Sequence, residues 1–111
     1  MIPDFEYRWS QAESFLKERF HKVPDMEGIL YLVGINELDE FPLRRKFSKE
    51  QKQDLIHLGV CRLLSLRGIY ELEGRDQDGW PHFRQIAEIK VQGVEQQELL
   101  LKQCVLEYLG F

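Results

Sequence analysis

The chain lacks most of what the familiar functional classes require. Only two cysteines, Cys61 and Cys104, occur in 111 residues, too few and too widely spaced for a disulfide framework. Both fall on stretches that read as apolar helix faces, so buried thiols are the simplest reading. No apolar run approaches the length of about 18 residues that a membrane-spanning helix needs. The N-terminal MIPDFEYRW carries charges where a signal peptide needs an apolar run, and a cytoplasmic protein is expected. Basic residues are outnumbered, 15 against 19 acidic, for a net charge of -4. Neutralising phosphates takes a clustered positive field, which makes nucleic acid an unlikely partner. There is no Gly-rich phosphate loop, nucleophile elbow or H-E-x-x-H. With no strong metal or nucleotide motif, no cofactor is assigned.

What is present is mostly helix-forming, and residues 1–111 read as a single helical domain. Ser10-Gln11-Ala12-Glu13 matches a capping box, yet Phe5, Trp9, Ala12 and Leu16 keep helical spacing upstream of it. The longer helix, beginning near Asp4, is preferred over an extended aromatic arm, and Val23-Pro24 should end it. Asp25 is a good N-cap for MEGILYLVGINEL, which is apolar nearly all round, as a central helix is; a strand is the competing assignment. Gly28 and Gly34 each cost about 1 kcal/mol of helix propensity against Ala, a cost that makes sense if another backbone passes close by. A connector with Pro42 and the basic Arg44-Arg45-Lys46 follows; a solvated loop is its commoner meaning.

Ser48-Lys49-Glu50-Gln51 forms a second capping box. The third helix runs to about Leu66 on an apolar face of Leu55, Ile56, Gly59, Val60, Leu63 and Leu64, with Cys61 at its edge. Gly68 sits where a C-terminal glycine belongs. A last helix spans about Val94 to Leu109 and is closed by Gly110. The expected fold is mainly α: four helices with a short β-hairpin or irregular loop between the third and fourth, α+β being the alternative.

That excursion holds the one chemically dense stretch, EGRDQDGWPHF. Ile69 to Glu73 alternates apolar and acidic residues, the period of a half-buried strand. Asp76-Gln77-Asp78-Gly79 fits a type I turn, with Asp76 able to accept backbone N–H groups. Trp80 to Phe83 would return at an edge, since Pro81 cannot donate to a ladder. Leu72, Trp80 and Phe83 would pin this hairpin to the helices. Turn chemistry accounts for most of these residues. The functional reading takes Arg75, Asp76, Asp78, Trp80 and His82 as a ligand or partner contact.

Stronger chemistry was weighed residue by residue. Glu71, Glu73, Asp76 and Asp78 concentrate oxygen ligands, but with Gly79 at the sixth place of a calcium loop, the first and twelfth fall on Gly74 and Gln85. Neither anchors Ca²⁺. His57 and Cys61 are spaced i, i+4 and with His82 or Cys104 would make a tetrahedral zinc set, though HxxxC alone is a weak motif. Glu37-Leu38-Asp39-Glu40 and Glu95-Gln96-Gln97-Glu98 look like the Mg²⁺-binding motifs of all-helical nucleotide pyrophosphatases. They fall at helix ends, and the third helix offers only Gln51 and Asp54 as counterparts.

GILYLVGINEL, DLIHLGVCRLLS and YELEGRDQDGWPHF together resemble a family of small uncharacterised bacterial proteins typified by those of Bacteroidetes. The likeness covers roughly residues 15 to 109 and rests mainly on EGRDxDGWPHF. It implies a cytosolic single domain and brings no activity or functional residue with it. Two classes of function follow. The first is a small interaction or adaptor-like domain, self-associating or binding a protein partner through the aromatic N-terminal segment or the 73–83 stretch. The second is an enzyme or ligand- or metal-binding domain with its site at residues 71–83.

Overall fold

The computed structural model describes residues 4–38 and 47–111. Among them the order is α1 (Phe5–Phe20), α2 (Met26–Asn36), α3 (Lys49–Ser65), β1 (Tyr70–Arg75), β2 (Pro81–Gln85) and α4 (Gly93–Leu109). The protein is therefore mainly α, with one antiparallel hairpin between α3 and α4. Pro42 and the basic Arg44-Arg45-Lys46 run lie outside the described residues. No helix among the described residues is long and apolar enough to cross a membrane.

Side chains that bond nearby backbone set the starts of α2 and α3. Ser48 Oγ accepts from the Gln51 N–H at 3.1 Å and Gln51 Oε1 accepts from the Ser48 N–H at 2.9 Å, a complete capping box. Asp25 caps α2 by accepting from the Gly28 N–H at 2.8 Å. The Ser10 box is not used. Helix α1 begins at Phe5, which puts Ser10 to Glu13 inside it, and the apolar spacing back to Phe5 prevails. It also ends before Val23-Pro24: His21 turns left-handed at φ 64 and donates its N–H to the Lys17 carbonyl.

Packing is organised by α2 and α3. A Cβ added to Gly34 would stand 2.1 Å from the Leu55 carbonyl oxygen, and one added to Gly59 would stand 2.1 Å from that of Leu30. Both distances are far inside van der Waals contact, so only glycine lets these backbones come so near. Leu30 and Gly34, one turn apart, thus meet Gly59 and Leu55 in reverse order, and the helices run antiparallel. The close approach expected at Gly34 is present. Gly28 is different, for its neighbours are Pro24 and Asp25 of its own cap.

Two apolar clusters flank this pair. Leu16 of α1, Ile29, Leu30 and Val33 of α2, Leu63 of α3, and Cys104 and Val105 of α4 form the larger. Ile35, Leu55 and Leu58 form the smaller, covered by Tyr31, Leu38, Phe47, Trp80 and Phe83. Helix α3 is covered on both sides, so its buried face is broader than its sequence stripe. Leu58 joins that face, and Cys61, expected at the edge, is only 4% exposed. Both thiols are buried and free.

One polar network ties the elements together. Tyr108 Oη donates to Glu37 Oε2 at 2.6 Å and accepts from Asn36 Nδ2 at 2.6 Å. Arg62 Nε lies 3.1 Å from Glu37 Oε1, and its guanidinium sits over the Tyr108 ring. Burial, with the neighbouring Glu37 carboxylate, pushes the Tyr108 phenol up to about 12 from 10.0. Its protonated form is thus favoured in the folded state. That contribution is complete below the unfolded value and is lost as pH rises through about 12. Ultraviolet difference titration of wild type against Tyr108→Phe should show one phenol ionising near 12, missing from the variant. A Tyr108 phenol ionising near 10 contradicts the network.

Candidate functional site

The 70–85 hairpin carries the five residues taken as a ligand or partner contact, Arg75, Asp76, Asp78, Trp80 and His82, and its geometry follows from its turn. Asp76 Oδ1 accepts from the Asp78 N–H at 2.9 Å and from the Trp80 N–H at 3.0 Å. The Gly79 N–H donates to the Asp76 carbonyl at 3.0 Å, closing the four-residue turn, and Gly79 takes φ 80. On the incoming strand, Leu72 pairs with Phe83 and Gly74 with His82. Glu73 is therefore the extra residue of a β-bulge, and Gly74 at φ 147 supplies the backbone angle that the bulge needs.

Arg75 Nη1 donates to the Gly79 carbonyl at 2.9 Å and to the Glu37 carbonyl at 2.8 Å. It therefore clamps the turn to the C-terminus of α2. Trp80 and Phe83 pack on the smaller core cluster, as expected. Leu72 does not: it is 51% exposed, and β1 is exposed along nearly its whole length. The expected half-buried strand is corrected here. Bulky Trp80 and Phe83, with buried Pro81, take the contact with the helices and leave β1 outside.

His82 completes the turn. Its Nε2 lies 2.9 Å from Asp76 Oδ2, with both side chains substantially exposed. The bond to His82, together with the N–H groups of Trp80 and Asp78, holds the Asp76 carboxyl below its ordinary value. Asp78 makes no side-chain bond to any described residue and stays exposed. Of the five proposed contact residues, Arg75, Asp76 and Trp80 are thus occupied by the fold, His82 is exposed but bonded to Asp76, and Asp78 is exposed.

A small cavity separates the hairpin from α3. Asp54, His57 and Cys61 line one side, Trp80, His82 and Phe83 the other. His57 Nε2 lies 3.6 Å from Cys61 Sγ, so three residues considered for zinc do border one space. Cys104 is elsewhere, in the larger core cluster. No three His, Cys, Asp or Glu side chains among the described residues are placed to share a metal ion. Asp54 was not singled out as a cavity residue, although its spacing from His57, one turn along the same helix face, signals it.

Chemically the cavity offers little. Burial pushes the Cys61 thiol up, which keeps it protonated near neutral pH and poorly nucleophilic. In the Asp76–His82 pair the carboxylate takes Nε2, which leaves Nδ1 as the ring's remaining base at an exposed position. The volume is about 250 Å³, under the range of about 300–1,000 Å³ usual for small-molecule sites. Of the two acidic motifs, Glu37 is bound to Arg62 and Tyr108, Glu95 and Glu98 are exposed at the start of α4, and Asp39 and Glu40 lie outside the described residues. The chain matches no protein-family model, no curated protein and no solved structure.

Asp76 is expected to hold the turn, and Asp78 to be dispensable. Asp76→Ala should accelerate amide hydrogen exchange at Asp78 and Trp80, while Asp78→Asn leaves those rates at wild-type values. Because the Asp76 carboxyl is lowered, its contribution is complete above the ordinary value of 3.8 and is lost as pH falls below it. Acidification through that range should loosen the same amides in wild type and not in Asp76→Ala. Equal effects of the two substitutions contradict this assignment.

Proposed function

We propose that the protein is a small cytoplasmic interaction domain that pairs with a second copy of itself through the exposed first turns of α4. Val94, Leu101, Val105 and Tyr108 lie on one stripe of that helix. At its C-terminal end the stripe is core, with Val105 fully buried; at its N-terminal end Val94 is 78% exposed. Residues 93–99 are exposed throughout. Helices draw most of their stability from tertiary packing of an apolar face, and these two turns have almost none. This uncovered continuation of a core stripe is the observation that carries the reading.

Neighbouring side chains extend the same argument. Leu99 of α4, with Ile86 and Ile89 on the segment leading into it, are each at least 40% exposed. Glu95 and Glu98 lie between Lys90 and Lys102 along the chain. A two-fold pairing can therefore set acidic residues of one copy against basic residues of the other. The surface differs from the two considered from sequence. Trp80 is packed into the core, and Trp9 lies beneath Lys102 and against the larger cluster. The enzyme reading is the weaker one, because Arg75 and Asp76, two of the residues on which it rests, are engaged by the turn and its anchorage.

Light scattering on a sizing column, across a concentration series, tests this directly. The wild-type chain should run at twice the chain mass at high concentration. The V94K/L99K variant should run as a monomer with unchanged helicity, since neither side chain contributes to the monomer core. A wild-type chain that stays monomeric at every concentration contradicts the reading.

A further inference from the structure

A second opening has a different character. It lies between α1, α2 and α4, with a volume of about 470 Å³, within the usual range for small-molecule sites. Among the described residues the backbone of α1 approaches α4 and not α2, and Phe15 lines the cleft while its ring packs on Phe111. The cleft is what remains between. Leu16, Ile29, Val33 and Val105 form its floor, already covered by the protein's own packing, and the partly or fully exposed Phe15, Phe20, Leu32 and Leu109 form its accessible apolar walls.

Among the described residues twelve line the cleft, and Arg19 is the sole charged one of these. Its guanidinium lies 5.4 Å from the centroid of Phe15, itself a lining residue. No carboxylate among the described residues stands within ion-pair distance of it. Stacking on a ring leaves the N–H edges of a guanidinium free to donate in a fork. The other polar groups at the wall are committed, since Tyr108 Oη donates to Glu37 and accepts from Asn36. The cleft thus offers an apolar body and a single cationic edge.

We infer that this cleft binds an amphipathic carboxylate, with an apolar tail against Phe15, Phe20, Leu32 and Leu109 and its carboxylate on Arg19. The charge complement selects this class. An uncharged apolar molecule would fill the same volume and leave the guanidinium unpaired, and a cationic one would be repelled. The inference is independent of pairing through α4.

Sodium decanoate and 1-decanol, which share a tail and differ in the head, are the probes, followed by amide chemical shifts of the ¹⁵N-labelled protein. Decanoate should saturate with shifts centred on Leu32, Val33, Asn36 and Leu109. It should bind about tenfold more tightly than decanol, as one charge-assisted bond allows. Arg19→Gln should bring the two affinities together. Leu32→Trp, which fills the cleft from a partly exposed position, should abolish both while the far-ultraviolet spectrum stays unchanged. Non-saturating shifts, shifts centred outside the cleft, equal affinities in wild type, or full decanoate binding by Arg19→Gln would each overturn the inference.

Discussion

Two glycines, each lying beneath a leucine carbonyl of the neighbouring helix, fix how closely α2 and α3 approach, and the remaining elements are arranged about that contact. Neither contact can be relieved by turning a side chain, because the opposing atoms are backbone. The helix propensity given up is about 1 kcal/mol at each glycine. It is offset by packing on both flanks of the pair, where fully buried leucines such as Leu55 and Leu63 each contribute on the order of 2 kcal/mol. A wider spacing would part α3 from the leucines of α2 and open both clusters at once.

The hairpin depends on the same pair through Glu37. This residue closes α2, takes Arg62 and Tyr108 on its carboxylate, and receives Arg75 on its carbonyl. One residue therefore joins α2, α3, α4 and β1. The turn chemistry of Asp76 and the clamp of Arg75 follow from that anchorage. The dense EGRDQDGWPHF stretch is largely explained as the means by which a short, exposed hairpin is held in one place. Interest in binding moves to surfaces the fold does not use, the start of α4 and the cleft under Arg19.

The parts legible in sequence were those where a side chain satisfies its own neighbourhood. Asp25 and Ser48 cap helices through bonds spanning three residues, Gly110 ends α4, and Asp76 shapes a turn four residues long. Their physics is local, so their pattern is too. Glu37 was not legible, because its carboxylate meets Tyr108 from 71 positions away and nothing in its neighbours signals that. Leu72 misled for a related reason: alternation marks one face of a strand without saying whether anything covers it. The single-edge reading of Cys61 failed because α3 is packed on two sides. Gly59 carried no more signal than Gly34, and only the reverse pairing of Leu30 and Leu55 reveals them as one contact.

The most direct test of that contact is the stability of Gly34→Ala and Gly59→Ala, measured separately by urea unfolding. Helix propensity alone would make each variant about 1 kcal/mol more stable than wild type. A Cβ driven against an immovable carbonyl should instead make each at least about 2 kcal/mol less stable. Loss in both variants supports α2 and α3 as the spine of the fold, and a gain in either contradicts it.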